Sequence, residues 1–205
     1  GNELDLKLIE KHWNEGRRIT SAAYTSNGWF VTMAKNSGLT WQACHYDSNW
    51  PTDWLAEHRK NNRYITSIGM SANKWFIVVS EGTGYTDQIN NCGDWDQMSQ
   101  WIKKYWNEDF RITHAARHTS GWDIVMSKNS GIDQQTYCFA TESELKSKLE
   151  EQWANGYCLQ LIEFANGQYF IIGCTYKNGK APMQSYNISP DDPGTCISEG
   201  WDNQR

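Results

Sequence analysis

The groups with chemical potential in this 205-residue chain are six cysteines, five histidines and a few adjacent carboxylates. A cysteine nucleophile needs a base to take its proton, and such partners meet only in the fold. Six cysteines and His12, His45, His58, His114 and His118 offer many chance pairings. A cryptic Cys/His hydrolase is therefore an alternative, not the leading expectation. His114 and His118 have the spacing of an HExxH zinc helix, but their stretch reads as strand into turn. No CxxC pair supplies the common zinc spacing. The pairs Glu108-Asp109, Glu150-Glu151 and Asp191-Asp192 fall at a helix end, on a helix and in a tail. They read as caps and solvated faces, not as a glycosidase pair. Glu81-Gly82-Thr83-Gly84 lacks both GxGxxG and the following Lys-Ser/Thr of a phosphate cradle, so it reads as a wide turn. The expectation is a chain that is not an enzyme, with no catalytic residue, cofactor or metal.

Binding is the remaining chemistry. Gln42, Gln88, Gln135 and Gln184 recur at near-constant spacing. Four amides in a ring would hold a sugar or a peptide backbone. An amide also has two donors and two acceptors with which to tie a strand end to a neighbouring loop. Recurrence in every copy favours the structural role, because ligand sites in repeat proteins vary from unit to unit. Exposed aromatics stack on sugars and anchor protein partners. Those outside the repeated positions, Trp41, Trp50, Tyr85 and Trp201, are the candidates for a binding surface.

These residues are carried by one unit written four times. Ile19, Ile65, Ile112 and Leu159 begin equivalent strands, at steps of 46, 47 and 47 residues. Trp29, Trp75, Trp122 and Tyr169 mark a second strand at the same steps, and Gly38, Gly84, Gly131 and Gly179 precede the glutamines of a third. A period near 47 residues indicates a propeller, solenoid or array. A helical segment precedes each first strand: Leu4 to Trp13, the poorer Asp53 to Lys60, Trp95 to Trp106, and Glu142 to Trp153. Thr141 with Glu144 reads as a capping box. Asn166-Gly167 is a strong hairpin signal. On the first strand, alternation puts Ile19, Ser21 and Ala23 on one face, matched by Ile65, Ser67 and Gly69, by Ile112, His114 and Ala116, and by Leu161 and Glu163. The second strand is apolar on both faces, as expected of a strand central in its sheet. A turn at Asn166-Gly167 sets Cys158 opposite Thr175, one position off Cys174, and six reduced thiols are expected.

Composition narrows the class. A net charge of −5, with no run of basic residues, argues against a nucleic-acid partner. No stretch is long and apolar enough for a membrane span, and the compartment leans cytoplasmic. Twelve Trp and ten Tyr supply buried area in a chain of low hydropathy.

Trp13, Gly16, Ile19 and Thr20, then Gly121, Trp122, Met126 and Ser127, then Gly82, Gly84, Tyr85, Thr86 and Gln88 make a repeated phrase. It resembles a repeat domain of unknown function found in bacterial caspase-family proteins and, in a related form, at the C-terminus of plant casein-kinase-like kinases. The resemblance runs to about Ser189 and is weakest in the fourth copy. It implies a regulatory module attached to, or encoded with, an effector enzyme, and supplies no catalytic residues.

The expected fold is α+β: four tandem helix-plus-three-strand repeats with pseudo-fourfold symmetry, propeller-like or a closed ring. Two packed sheets with helices outside is the other arrangement weighed. The repeat domain spans 3–189, in units 3–46, 47–94, 95–140 and 141–189, with 190–205 as a tail or cap. The expected partner is a protein or the chain's own effector domain, and alternatively a carbohydrate bound in lectin-like fashion.

Overall fold

The computed structural model describes residues 3–118, 121–182 and 184. Four helices and eleven strands follow one another in the order α1 Leu6–Asn14, β1 Arg18–Thr25, β2 Gly28–Ala34, β3 Trp41–Asp47, α2 Thr52–Lys60, β4 Tyr64–Met70, β5 Trp75–Glu81, β6 Asp87–Gly93, α3 Trp95–Trp106, β7 Arg111–His118, β8 Gly121–Lys128, β9 Ile132–Ala140, α4 Glu142–Ala154, β10 Cys158–Ala165 and β11 Gln168–Tyr176. The class is α+β, and the elements repeat with the period of the sequence.

Local signals account for the helix ends. The Asp5 carboxylate accepts from Leu8 N–H at 3.0 Å and the Asp94 carboxylate from Gln97 N–H at 2.9 Å, each satisfying a first-turn donor. Glu144 reaches back to the Thr141 N–H at 2.9 Å, as its spacing predicts. The α2 helix starts after Pro51 with no side-chain cap, in keeping with its poor pattern. In the last hairpin Asn166 and Gly167 take φ of 53° and 76°, the two left-handed residues that a tight strand-matched turn requires.

The strands pair in a way that the order of elements conceals. Hairpins join the first and second strands of each copy: β1 with β2, β4 with β5, β7 with β8, β10 with β11. The third strand leaves its own copy and pairs with the second strand of the next. Thus β3 joins β5, β6 joins β8 and β9 joins β11, all antiparallel. The sheets are β3-β5-β4, β6-β8-β7, β10-β11-β9 and the two-stranded β1-β2. The second strand is central in three of them. β2 differs: among the described residues it pairs with β1 alone.

Two expectations about register are corrected. Every first strand carries a bulge at the residue after its Ile or Leu landmark, with the register shifting between Ile19 and Ser21, Ile65 and Ser67, Ile112 and His114, and Leu159 and Leu161. A bulge sets two residues against one, so simple alternation fails across it. Ile65 shares its core face with Ile68, not with Ser67 and Gly69, and Ala22 and Ala115 are buried in the corresponding places. The same extra residue brings Cys158 directly opposite Cys174. Cys44, Cys92, Cys138, Cys158 and Cys174 are all free thiols.

The chain divides into two compact units, Gly1–Ser130 and Gly131–Arg205. In the first, β1 lies beside β4 and β4 beside β7. Ile9, Ile19 and Ala22 pack with Phe76 and Val78 of the next sheet. Leu55, Ile65, Ile68, Trp75, Ile77 and Val79 pack with Ala116 and Val125 of the one after. Each side chain of this size contributes about 1.5–3 kcal/mol by leaving water. In the second unit Leu145 and Leu149 of α4 cover Ile171 and Ala140.

Candidate functional site

The repeated glutamines sit where a strand leaves its own copy. Gln42 opens β3, and its amide reaches back to β1. Its Oε1 accepts from Ile19 N–H at 2.7 Å and from the Trp13 indole at 3.0 Å. Its Nε2 donates to the Ile19 carbonyl at 2.8 Å and to Ser80 Oγ at 2.9 Å. All four amide positions are occupied. Gln88 repeats the pattern with Ile65 N–H at 2.7 Å, the Ile65 carbonyl at 3.0 Å and Ser127 Oγ at 2.9 Å. Gln184 does so with Leu159 N–H at 2.7 Å, the Leu159 carbonyl at 2.6 Å and the Trp153 indole at 3.3 Å. The amide thus replaces a ladder partner beside the bulge and joins the third strand to the first strand of its own copy. Thr66 and Thr113 extend the network through Ser80 at 2.5 Å and Ser127 at 2.9 Å. In the fourth copy Cys174 stands in the serine position and Gln160 in the threonine position, and Gln135 Nε2 donates to Gln160 Oε1 at 2.5 Å.

The aromatic candidates are dispersed. Trp41 and Trp50 are half-buried against the cluster beneath α2. The Arg63 guanidinium lies 3.8 Å over the Trp41 ring, and Trp50 stands edge-on to Trp75 at 5.2 Å. Tyr85 packs edge-on to Tyr64 at 6.1 Å. Trp201 lies outside the described residues.

Of these, Tyr85 borders a cleft. A cavity of about 260 Å³ opens in the first unit between the first strands and two loops. Thr20, Thr66 and His114 reach it from β1, β4 and β7. Ser37 and Leu39 come from the β2–β3 loop, Thr83 and Tyr85 from the β5–β6 loop. Gly82 lets the two loops meet: its φ is +88°, and a Cβ there would lie 2.6 Å from the Gly38 carbonyl oxygen.

The lining mixes the apolar Ile19 and Leu39 with hydroxyls and an imidazole, and carries no fixed charge. Ser37 Oγ and Thr83 Oγ1 accept from the Leu39 and Tyr85 N–H groups, at 3.4 and 3.2 Å, which leaves their hydroxyl protons to donate. Burial pushes the Tyr85 phenol up, keeping it protonated. Burial holds His114 down to about 4, so the imidazole is neutral near neutral pH. Its Nε2 is buried with no hydrogen-bond partner among the described residues, an orphan of the kind a ligand satisfies. His114 and the threonines were the residues that sequence reasoning missed here. Thr20, Thr66 and Thr113 each follow the Ile landmark of their strand, but nothing local shows that three first strands converge.

Four of the described thiols have the opposite character to a nucleophile. Burial raises Cys44 to about 11 and raises Cys92, Cys138 and Cys174 as well. A reactive thiolate needs a cationic, partly open setting. Among the described residues no group of three His, Cys, Asp or Glu is placed to hold a metal ion, and no helix is long and apolar enough to cross a membrane.

One protein family, described as a domain of unknown function (DUF7477), matches residues 49–204. No curated protein matches the chain.

Proposed function

We propose that this chain, which belongs to the DUF7477 family of domains of unknown function, is a non-catalytic interaction or sensing module. It serves as the regulatory part of a caspase-like or other effector system. The carrying observation is the uncharged cleft between β1, β4 and β7. Its hydroxyls donate and its His114 Nε2 has no partner among the described residues, so it accepts a neutral group with both donors and acceptors. A peptide segment of a protein partner, or of the chain's own effector domain, has that chemistry. The raised thiols of Cys44, Cys138 and Cys174 support a role without nucleophilic catalysis. The same reading takes the four copies as a closed, pseudo-fourfold ring, since three of the four third strands are already exchanged forward.

A sugar also presents neutral donors and acceptors, and the Tyr85 ring at the rim favours a lectin-like second reading. Capture from native lysate with the full chain, set against a Thr83→Val/Tyr85→Ala variant of equal thermal stability, tests the first. Loss of a specific protein in this variant, but not in Trp50→Ala, is expected. Equal capture by all three chains sinks the cleft as the binding site. Binding on a glycan array that the same double variant abolishes moves the assignment to carbohydrate.

A further inference from the structure

The fourth copy departs from the others at one facing pair. The residue that opens the first strand and its partner on the second are Arg18 and Ala34 in the first copy, Tyr64 and Ser80 in the second, and Arg111 and Ser127 in the third. In the fourth they are Cys158 and Cys174. Ser80 and Ser127 have a structural task, since they accept from the amides of Gln42 and Gln88. In the fourth copy Gln160 accepts from the corresponding Gln135 amide, which relieves position 174 of that task. Facing residues of an antiparallel ladder stand about 4.5–5.5 Å apart at Cα, and their side chains leave the sheet on the same side. A disulfide spans about 4.4–6.8 Å between Cα atoms. Both thiols are free. Cys174 is fully buried, whereas Cys158 forms part of the wall of a cavity of about 250 Å³, with Trp153 and Tyr157.

We propose that Cys158 and Cys174 form a reversible oxidation site, a dithiol that a small hydroperoxide converts to a cross-strand disulfide. Cys158, reached through the cavity, reacts first. Its sulfur bonds to one oxygen of hydrogen peroxide as the O–O bond breaks, and the departing hydroxide takes the thiol proton and leaves as water. The Cys174 sulfur then attacks the sulfenic sulfur. The S–O bond breaks, and the hydroxyl departs with the Cys174 proton as a second water. The two thiols lose two electrons and two protons, and the peroxide gains them. Burial raises the Cys174 thiol, against a hydrogen bond from Tyr176, so it keeps its proton until a sulfenic acid stands beside it. Its facing position makes the second step intramolecular. Two small thiols reverse the reaction by exchange, becoming a disulfide themselves. The bridge closes the open end of the β10-β11 hairpin, whose other end is the Asn166-Gly167 turn. It lies next to Leu159, on which Gln184 is tied, so oxidation clamps the fourth copy at its tie. The site stands apart from the cleft of the first unit and gives a sensing module a chemical input of its own.

The test exposes the full, reduced chain to a small excess of hydrogen peroxide, blocks the remaining thiols with N-ethylmaleimide in denaturant, and digests without reductant at Glu163, which separates the two cysteines in sequence. Peptide mass spectrometry is expected to find Cys158 joined to Cys174 within one chain, with the link undone by dithiothreitol and with Cys44, Cys92 and Cys138 still alkylated. Sulfinic acid at Cys158 with no bridge, or Cys158 joined to any other cysteine, overturns the proposal. In Cys174→Ser, which restores the residue found on β5 and β8, Cys158 is expected to stop at the sulfenic acid and to be trapped by dimedone. An adduct missing there overturns Cys158 as the first to react. Hydrogen exchange on the unmodified chain guards against a variant that misfolds. Amides of the 158–162 stretch are expected to exchange about tenfold slower after oxidation and to recover on reduction. Equal exchange in the bridged and reduced chains overturns the clamp.

Discussion

The sheets β3-β5-β4 and β6-β8-β7 follow one plan, yet at one equivalent position the first holds Phe76 and the second Asp123. Phe76 is 0% exposed and Asp123 only 6%. The backbone scaffold, not the side chain, decides that this position leaves water. The carboxyl adapts by keeping its proton, because burial raises it from 3.8 to about 7. His114, on the neighbouring strand β7 opposite Val125, adapts oppositely and stays neutral down to about 4. A repeat can thus carry ionisable groups inside, provided that each is held in its uncharged form.

The most severe break of this comparison is Phe76→Asp. It combines the loss of a large core ring with burial of a carboxyl, and at least about 4 kcal/mol of destabilisation is expected in denaturant titration. A loss below about 1 kcal/mol would show that the first sheet tolerates a carboxyl as freely as the second.

The pH dependence sharpens the same contrast. Asp123 has a folded pKa above its ordinary one. Its contribution is fully present below 3.8 and is lost as pH rises to about 7. His114 has a folded pKa below its ordinary 6.5. Its contribution is present above 6.5 and is lost as pH falls through about 4. The two slopes, each up to about 1.4 kcal/mol per pH unit, offset each other between about pH 4 and 6.5. The stability of Asp123→Asn minus that of wild type is expected to climb from about pH 3.8 to about 7 and then level off. Differences between wild type and variant cancel Glu163, which burial raises to about 8. Parallel curves for the two proteins would contradict the assignment to Asp123.

Next comes the tie between sheets. Gln88→Leu strands the Ile65 N–H and carbonyl in a buried place, for an expected cost of about 2–3 kcal/mol. Gln184→Leu, at a half-buried site, is expected to cost less, and chemical denaturation of both ranks them. The smallest effect is Thr141→Ala at the α4 cap, expected to lower stability by about 1 kcal/mol.

Much of the architecture could be read from residue order. The Trp95 to Trp106 helix has its expected ends, and the helix beginning at Glu142 runs one residue past its expected stop. These follow from caps and helical spacing, which are local. The bulge after Ile65 was not legible, because Thr66 suits a flat strand as well as a bulged one. The exchange of β3 into the next sheet was hidden for a different reason. A repeat of period 47 has no intrinsic beginning, and phase does not reveal which hairpin a strand will join. The cleft was invisible on the same ground. Thr20, Thr66 and His114 are far apart in sequence and meet only because their strands lie side by side. Tyr85 was picked out as an unrepeated aromatic, and that signal led to its rim.

The forward exchange of third strands has a consequence for how such a chain can be shortened or lengthened. The boundary between two sequence copies runs through the middle of a sheet, like courses of brick laid in overlapping bond. A protease nick or gene truncation just before a helix, after Gly93 for instance, takes β8 away from β6 and leaves its row of donors and acceptors bare. Excising one whole period from one glutamine to the next instead brings every surviving strand an equivalent neighbour. Copies of this motif can therefore be gained or lost only by the full period, and an ancestor built from one copy had to find its third strand in a second molecule.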